Sequence, residues 1–387
     1  MTMKIMAISH PCVTDVNQQF YAELEALGHV VQLIVPSNFR TTYSADAVEV
    51  SRWPEFSGTI EQRKVGLSRS IPLHYYQSNL RPSIAAFRPD VLFVEEEPYS
   101  TSAWQAFYAS RNMPMKRVVY SAQNILKPYP PPFRWMEQYV LARTDLAAVV
   151  SQDVGSVLRK KRYQGDLLPF PLGVDTGQFR PMHEEGRQLR RELGVEDRFV
   201  VGFVGRFVEE KGIRYLLEAA EQLADRPVSF LFIGKGDLLE EIRRMESRHP
   251  GLIRILDSVK HNDVHRWINT MDVLALPSLT MPNWKEQFGR VIVEAMACGV
   301  PVLGSDSGEI PVLIRETGGG WIVPERDAEQ LARLVGSLME HPEERERRAE
   351  IGLAAVSRRY SKRSLAHAFE QALLEGKADT LSGRTAR

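Results

Sequence analysis

The stretch Glu286–Pro301, EQFGRVIVEAMACGVP, reads as a loop that runs into a short, largely apolar helix. Phe288, Ile292 and Met296 recur at helical spacing, which predicts one apolar face turned toward a core. Gly299 predicts the end of the helix, because glycine accepts the left-handed backbone that closes many helices and the proline two residues later cannot continue one. The stretch therefore predicts a buried helix of two or three turns.

Two glutamates, Glu286 just before the first turn and Glu294 inside the helix, give this stretch its chemistry. Eight residues at about 100° each leave the two side chains roughly 80° apart, on one broad side of the axis. Carboxylates accept hydrogen bonds from vicinal hydroxyls, and the free N–H groups of a helix N-terminus attract anions. The pattern predicts a ligand that is part polyol and part phosphate, with the phosphate on the amides of Gln287, Phe288 and Gly289.

The alternative for both glutamates is that they are solvated charges on an amphipathic helix. Around Glu294 the run VIVEAMACGVPV is almost entirely apolar, which predicts burial of this carboxylate. Buried carboxylates are rare unless they are paired, so burial favours a binding role.

Length and composition indicate a globular enzyme of two ordinary domains. The chain has 387 residues, of which 43% are hydrophobic and 25% charged. Lys and Arg total 49, as do Asp and Glu, so no overall charge indicates a nucleic acid or an acidic partner. The two cysteines, Cys12 and Cys298, lack metal-type spacing and fit a reducing compartment. No apolar run reaches the ~18 residues of a membrane span, and the first residues do not resemble a signal peptide, so we expect a soluble, cytoplasmic protein.

The first half of the chain alternates predicted strands with helix-like stretches, which is typical of parallel α/β folds. Lys4–Ser9, Val16–Leu27 and Val30–Val35 predict a strand, a helix and a strand. Residues 37–80 are weakly patterned, and we expect loops and one or two helices there. Near-continuous apolar runs then predict strands covered on both faces, at Val91–Val94, Val118–Ser121 and Leu146–Val150.

The second half repeats this alternation. Strands are predicted from Phe199, at Ser229–Ile233, Ile253–Leu256, Val273–Leu276 and Val302–Gly304, and helices at Ile213–Leu223 and Asp237–Arg248. The segment Pro169–Pro181 is rich in proline and glycine, as interdomain linkers are. We therefore predict two Rossmann-like domains, 1–172 and 173–359, facing across a cleft at the carboxyl ends of their strands, where such sheets bind ligands.

A glycine-rich turn at Gly202–Gly212, GFVGRFVEEKG, follows the first strand of the second domain. Glycine in such a turn lets a ligand approach the backbone. Arg206 and Lys211 lie five residues apart around the turn and provide a guanidinium fork and a point charge, both suited to a diphosphate. The alternative is that they form surface ion pairs with Glu209, Glu210 or Glu218.

Other motifs are weaker. Gly234–Leu239, GKGDLL, has two glycines of a dinucleotide fingerprint, but leucine stands where the third belongs, and a helix-entry turn is the alternative. His10 and His74 fit a pocket or an ordinary structural role. The basic run Arg159–Arg162 fits a solvated face or a contact with anionic lipid headgroups. Because the sequence lacks Asp-x-Asp, HExxH and His/Cys clusters, we predict no bound catalytic metal.

Taken together these stretches resemble the family 4 retaining glycosyltransferases of GT-B fold. The resemblance covers roughly residues 170–335, and its segments come in the order of that family. They are PLGVDTGQFRP, VGRFVEEKG, FIGKGDLLEEI, DVLALPS, EQFGRVIVEAMACGVPVLGSDSGEIP and GGGWIVPERDAEQL.

The resemblance implies a role for each candidate. Glu294, the second glutamate of the E-x7-E motif, would hold the nucleotide ribose, and Glu286 would lie by the donor sugar. Arg206 and Lys211 would hold the diphosphate, beside Gly205 in the glycine turn. The backbone at Phe288 and Gly289 would lie near the sugar and phosphate. The last helix, within about 360–378, would cross back onto the first domain.

The first domain departs from the family pattern at two places. Many members have a Gly-Gly turn after the first strand, where this chain has HPCVTDVNQQ, and a histidine after a later strand, where it has Gln123–Asn124. Neutral amides orient hydroxyls but do not act as general bases. The residues that serve the acceptor therefore stay open between Gln123–Asn124 and Glu95–Glu97.

The resemblance implies transfer of a hexosyl group from a nucleotide diphosphate sugar to a glycan or lipid-linked acceptor, with retention, without a metal and with no other cofactor. It is typical of polysaccharide biosynthesis, here at or near the inner face of the membrane. The alternatives are a phosphorylase or nucleotide-sugar epimerase of the same fold, a dinucleotide-dependent oxidoreductase and a degenerate binding module. The missing third glycine argues against the oxidoreductase, and the intact candidate residues against the binding module.

Overall fold

The computed structural model describes residues 1–40, 48–257 and 259–375, which form two compact units. Unit 1 consists of Met1–Pro171 together with the chain from Lys362, and unit 2 is Leu172–Ser361. Each unit contains one parallel sheet with helices on it, so the predicted α/β class is confirmed for both.

Unit 1 is built on a seven-stranded parallel sheet with the order β3-β2-β1-β6-β7-β8-β9. Its strands are β1 (Lys4–Ser9), β2 (Val30–Pro36), β3 (Thr59–Arg63), β6 (Val91–Glu95), β7 (Lys116–Ser121), β8 (Leu146–Val149) and β9 (Asp166–Pro169). A separate antiparallel hairpin pairs β4 (Val65–Gly66) with β5 (Tyr75–Tyr76). The helices are α1 (Gln19–Ala26), α2 (Arg81–Phe87), α3 (Thr101–Ala109), α4 (Phe133–Leu141), α5 (Gln152–Lys160) and α14 (Lys362–Glu375).

The last helix, α14, belongs to unit 1 because its apolar face completes that core. Phe369 is fully buried, with its ring centroid 5.5 Å from Phe20 of α1 and 5.1 Å from Phe93 of β6. Burial of an aromatic ring of this size stabilises a fold by a few kcal/mol. Residues 376–378 of the predicted helix lie outside the described residues.

Unit 2 is built on a six-stranded parallel sheet with the order β12-β11-β10-β13-β14-β15. Its strands are β10 (Phe199–Val204), β11 (Val228–Ile233), β12 (Ile253–Leu256), β13 (Val273–Leu276), β14 (Val302–Ser305) and β15 (Gly320–Val323). Its helices are α6 (His183–Leu193), α7 (Ile213–Gln222), α8 (Leu239–Arg248), α9 (Val264–Ile268), α10 (Arg290–Ala297), α11 (Ile310–Thr317), α12 (Ala328–Glu340) and α13 (Pro342–Arg359).

The sequence located the central strands correctly and missed several strands near the edges. Every strand predicted from an apolar run is confirmed, and most of them are central strands, which are buried on both faces and need such runs. The prediction of one or two helices in 37–80 is wrong for the described part of that segment, which contains β3, β4 and β5. The sequence of β3, TIEQR, is mostly polar because it is an edge strand paired only with β2, so it carries no apolar signal. Residues 41–47 lie outside the described residues.

Candidate active site

Each parallel sheet has one point at which its strand order reverses, between β1 and β6 in unit 1 and between β10 and β13 in unit 2. Open parallel sheets bind ligands beyond the carboxyl ends of their strands at such a switch point. The residues that follow these strands are therefore the first candidates, namely His10 after β1, Glu96 after β6, Gly205 after β10 and Pro277 after β13.

In unit 2, a buried ion pair lies beside the end of β13. Lys211 Nζ is 2.6 Å from Glu286 Oε2, and Ser278 Oγ donates a hydrogen bond to the same oxygen at 3.0 Å. Only 7% of Glu286 is exposed, and the Lys211 ammonium lies 5.0 Å from the centroid of the Trp284 ring. We call Lys211, Ser278 and Glu286 the Glu286 cluster. It joins two motifs that the sequence presents 75 residues apart.

Two glycines allow the cluster to form. Gly212, at φ +69°, would place a Cβ atom 1.8 Å from the carbonyl oxygen of Pro277. Gly308, at φ +55°, would place one 2.2 Å from the carbonyl oxygen of Glu286. Any side chain would clash at these positions, and glycine accepts positive φ without strain. The glycines thus hold Lys211 and the Glu286 loop close to the end of β13.

The helix of the two-glutamate motif begins later than the spacing predicts. α10 starts at Arg290, because Gly289 at φ +77° interrupts the helical backbone. Glu286 and Phe288 therefore lie in the preceding loop, and the predicted angle of 80° between the two glutamates does not apply. Phe288 is buried even so, with its ring centroid 6.2 Å from that of Tyr360.

Glu294 lies inside α10 and is only 4% exposed. Its Oε1 is 2.8 Å from Nε of Arg290, one turn earlier on the same helix. The alternative that both glutamates are solvated charges is wrong, because Glu286 and Glu294 are both buried. A buried carboxylate with a cationic partner is the arrangement that makes such burial tolerable.

Arg206 does not join the Glu286 cluster. Its side chain is 47% exposed, and its guanidinium lies 3.3 Å from Glu210, the surface pairing that the sequence left open as an alternative. The neighbouring Gly205 has φ +155° and donates its N–H to the carbonyl of Ile233 at 3.0 Å. Gln287, next to Glu286, is exposed.

The second glycine motif, GKGDLL, is a helix-entry turn. Helix α8 starts at Leu239, the last residue of this motif. A Cβ atom on Gly236 would lie 2.4 Å from the carbonyl oxygen of Phe207, so this glycine packs against the turn that follows β10. The alternative given for this motif is therefore confirmed.

In unit 1, His10 and His74 both contact the buried carboxylate of Glu96. His10 Nδ1 is 2.8 Å from Glu96 Oε2, and His74 Nε2 is 3.5 Å from Oε1. The backbone N–H of His10 also donates to Glu96 at 2.9 Å. Burial alone would favour the neutral acid, but the two imidazoles lower the pKa of Glu96 to about 2. Burial likewise opposes charge on His74, whereas Glu96 raises the pKa of that imidazole.

These three residues, the Glu96 cluster, lie beside a cavity of about 450 Å³. His10 forms part of its wall, and 18% of the His10 side chain is exposed. Sequence reasoning weighed His10, His74 and Glu96 separately and did not connect them. The available signal was that His10 and Glu96 each follow directly on a strand, but which strands are neighbours is not visible in the sequence.

The other two acids of the Glu95–Glu97 run lie on either side of this cluster. Glu95 accepts hydrogen bonds from Ser9 Oγ at 2.7 Å and Tyr21 Oη at 2.9 Å, and burial raises the pKa of its carboxyl. Glu97 instead accepts hydrogen bonds from residues that follow or end β7.

Glu97 and Gln123 are each held by hydrogen bonds to residues at or just after the end of β7. Glu97 accepts from Ser121 Oγ at 2.8 Å and from the N–H of Ala122 at 2.7 Å. Gln123 donates its side-chain amide to the carbonyl of Ile125 at 2.9 Å. Asn124 is buried.

We expect Glu97→Gln to raise the unfolding free energy above about pH 7, and much less at pH 5. Burial raises the pKa of Glu97 to about 7, against the partly opposing bonds from Ala122 and Ser121. In the unfolded chain this carboxyl ionises at about pH 4.3, well below its folded-state pKa. The raised pKa therefore favours folding most below about pH 4.3, and this contribution to the unfolding free energy is lost as pH rises through about 7. The full shift corresponds to about 4 kcal/mol. Glutamine keeps the acceptor oxygen and does not ionise.

The measurement is the melting temperature of both proteins from pH 5 to 8.5. The wild type should lose more stability than the variant across this range. Glu55→Gln, at an exposed site in the same unit, is the matched control and should follow the wild type. Parallel curves for wild type and Glu97→Gln would contradict the assignment.

The remaining predictions concern metals and membranes. Among residues 1–40, 48–257 and 259–375, no group of three or more His, Cys, Asp or Glu side chains is placed to hold a metal ion. Across the same residues, every helix is too short or too polar to span a bilayer. In the basic run Arg159–Arg162, Arg159 donates to the carbonyls of Tyr163 and Gly165, and Lys161 pairs with Glu137 at 2.5 Å.

Comparison with known families accounts for both units. Residues 14–178 match the model of "Glycosyltransferase Family 4", and residues 186–354 match that of "Glycosyl transferases group 1". The two matches indicate a group 1 glycosyltransferase. The retaining mechanism, the family 4 assignment and the role of each residue stay predictions at this point.

Individual relatives agree with that result. The chain is 30% identical over 198 residues to a GDP-mannose-dependent phosphatidylinositol monomannoside mannosyltransferase of Corynebacterium glutamicum, covering 50% of this chain and 52% of the relative. It spans about half the length of several curated relatives that it matches.

Two solved structures share the fold of the whole chain. Sucrose-phosphate synthase of Thermosynechococcus elongatus has a TM-score of 0.71 at 20% identity, over 96% of this chain and 98% of that one. HepE of Anabaena in complex with UDP has a TM-score of 0.70 at 18% identity, over 97% and 100%. The GT-B fold class predicted from the sequence is confirmed.

Proposed function

We propose that this chain transfers a sugar from a nucleotide diphosphate sugar to a hydroxyl of an acceptor, with retention of configuration. The observation that carries the proposal is the Glu286 cluster, in which Lys211 lies 2.6 Å from a buried carboxylate at the switch point of unit 2. A cation and hydroxyl-binding carboxylates held together in this way suit a ligand that combines a diphosphate with sugar hydroxyls.

On the donor side, Lys211 is the residue that acts on the leaving group. An ammonium has three N–H donors, and Glu286 takes one of them. The remaining two are available to the diphosphate, whose negative charge grows as the glycosidic bond breaks. Glu286 in turn holds the ammonium in place and lies by the donor sugar.

Arg206 adds a second cation when the donor is bound. Its side chain is about half exposed in the pair with Glu210, and solvent-exposed ion pairs contribute only about 0–1 kcal/mol. The guanidinium can therefore leave Glu210 for a diphosphate at little cost. Two side-chain cations together take the charge-stabilising role that a divalent ion has in other transferases, so we propose that the reaction is independent of metal.

Glu294 is the proposed partner of the nucleotide ribose. Its carboxylate is buried and held by Arg290, and two vicinal hydroxyls can share one carboxylate through two hydrogen bonds. The donor is a UDP or GDP sugar, because the mannosyltransferase relative is named for GDP-mannose and HepE is described with UDP. The acceptor is a glycan or a lipid-linked sugar, as expected of an enzyme in polysaccharide or glycolipid assembly.

The test is a thermal-shift screen of the wild type against UDP, GDP, ADP, their common sugar conjugates and NAD. One nucleoside diphosphate and its conjugates should raise the melting temperature. A response to NAD alone, or to none of these compounds, would contradict the proposal. With the donor known, NMR of the anomeric proton of the product should show retention, and inversion would overturn that part of the proposal. EDTA should leave turnover intact, and loss of turnover with EDTA would overturn the proposed independence of metal.

A further inference from the structure

We infer that the cavity of unit 1 binds an acceptor that combines an apolar chain with an anionic group. This inference rests on the proposed function, because it names the class of acceptor that the transferase would use. The cavity has about 450 Å³ and lies at the switch point between β1 and β6. That volume falls in the range of small-molecule sites.

One wall of the cavity is apolar. Five of its lining residues have no polar side-chain group, and they come from three separate segments of unit 1, namely Pro11, Val13, Phe39, Ile71 and Pro72. Ile71 is 46% exposed although it lines a cavity. A sugar alone does not need such a surface, whereas an alkyl or isoprenyl chain gains about 0.8 kcal/mol for each CH₂ group that it buries.

The segment that forms this wall continues outward as an exposed apolar loop. Leu67 is 61% exposed, Leu73 36% and Tyr75 39%. Hydrogen bonds from the N–H of Ser70 to Leu67 and from the N–H of Leu73 to Ser70 make the loop compact, and the β4–β5 hairpin closes it. Four exposed apolar residues in nine positions, counting Ile71, make a patch of the kind that marks an interaction site.

Leu67 also has a strained backbone, at φ +51°. Non-glycine residues with this conformation are uncommon, and such strain is found mainly where the surrounding structure holds a residue for a purpose. Here the strain presents a leucine side chain to solvent, where it does not contribute to the core.

Among the residues that the structure describes, those lining the cavity include two arginines and no acidic residue. Arg40 and Arg69 both line it, and neither forms an ion pair with any residue of 1–40, 48–257 or 259–375. The segment from Lys64 to Tyr76, KVGLSRSIPLHYY, contains no acidic residue. The acid beneath the cavity, Glu96, is already paired with two histidines. An anionic group at the mouth of the cavity therefore meets guanidinium groups that suit phosphate or carboxylate.

His10 provides a hydroxyl-binding group at the base of the cavity. Its Nδ1 is held by Glu96 Oε2 at 2.8 Å, which leaves the other ring nitrogen, Nε2, as the polar atom that this side chain can offer to a ligand. His10 is thus placed as a positioning residue that forms a hydrogen bond with an acceptor hydroxyl.

The experiment is calorimetric titration of the full chain with decyl phosphate below its micellar concentration. Inorganic phosphate and decyl maltoside serve as the probes that lack the chain or the charge. The wild type should bind decyl phosphate at least ten-fold more tightly than either. Ile71→Ser and Arg69→Gln should each weaken this binding about ten-fold, whereas Ile351→Ser, at a 40% exposed site in unit 2, should not change it.

Equal affinity for decyl phosphate and inorganic phosphate would overturn the inference, as would unchanged affinity in both Ile71→Ser and Arg69→Gln. The melting temperature of each variant checks that it is folded. Stabilisation by a nucleoside diphosphate is measured on the same samples and should not differ between Ile71→Ser and the wild type. If the wild type bound no nucleoside diphosphate, the transferase proposal would be contradicted. If it bound a nucleoside diphosphate but not decyl phosphate, only the proposed class of acceptor would be contradicted.

Discussion

We expect Lys211→Ala to lower kcat by about 10²–10³-fold, the usual effect of removing one donor that stabilises transition-state charge. The ammonium lies 2.6 Å from Glu286 in a site of low exposure, where charge interactions are stronger than in water. The charge on the diphosphate grows as the bond to the sugar breaks, so the loss should fall on kcat more than on KM.

The measurement is steady-state kinetics with the donor identified by the thermal-shift screen. Lys260→Ala, at an exposed lysine of the same unit, should keep the kinetics of the wild type. Lys211→Arg is a second variant that retains the charge, and it should recover part of the activity, because guanidinium and ammonium differ in shape and reach. Wild-type kcat in Lys211→Ala would rule out the proposed role of this residue.

Removing the Lys211 charge also leaves Glu286 buried without its cation. Uncompensated buried charges are strongly destabilising, so the melting temperature of Lys211→Ala should fall as well. The double variant Lys211→Ala/Glu286→Gln removes that charge and should regain stability without regaining activity. This difference separates a catalytic effect from damage to the fold.

We expect Glu294→Ala to weaken nucleoside diphosphate binding by at least about 10–100-fold, the effect of losing even one charge-assisted hydrogen bond of about 1.5–3 kcal/mol. At a nucleotide concentration of 100 Kd the wild type gains about 2.7 kcal/mol of stability from binding, and a 30-fold weaker variant about 0.9 kcal/mol. The thermal shift caused by the nucleotide should therefore shrink to about a third.

The variant should remain folded, because the partner of Glu294 is not trapped. The side chain of Arg290 is 35% exposed, so its guanidinium can turn to solvent when the carboxylate is removed. Glu218→Ala, at an exposed glutamate of α7, is the matched control and should keep the full thermal shift. If Glu294→Ala also kept it, the ribose would have to bind elsewhere.

The sequence alone determined the central strands and helices and the identity of the donor-side candidates. Parallel strands covered on both faces require apolar runs, so β1, β6, β10 and β11 are visible without a structure. The turn with Arg206 and Lys211 and the helix with Glu294 are local motifs, and their chemistry follows from residue type and spacing. The edge strand β3 was missed because its polar residues, TIEQR, carry no such signal.

Only the tertiary structure decided which of these residues meet. Lys211 and Glu286 are 75 residues apart, and His10 and Glu96 are 86 apart. Both pairs form because the strand order of each sheet brings the ends of distant strands side by side, and that order depends on how the helices pack and not on any one segment. Nearness in sequence does not decide the partner either. Lys211 and Arg206 lie in the same glycine turn, but Lys211 joins the Glu286 cluster, whereas Arg206 stays on the surface with Glu210. Residue type thus predicted the chemistry, and chain topology selected the partners.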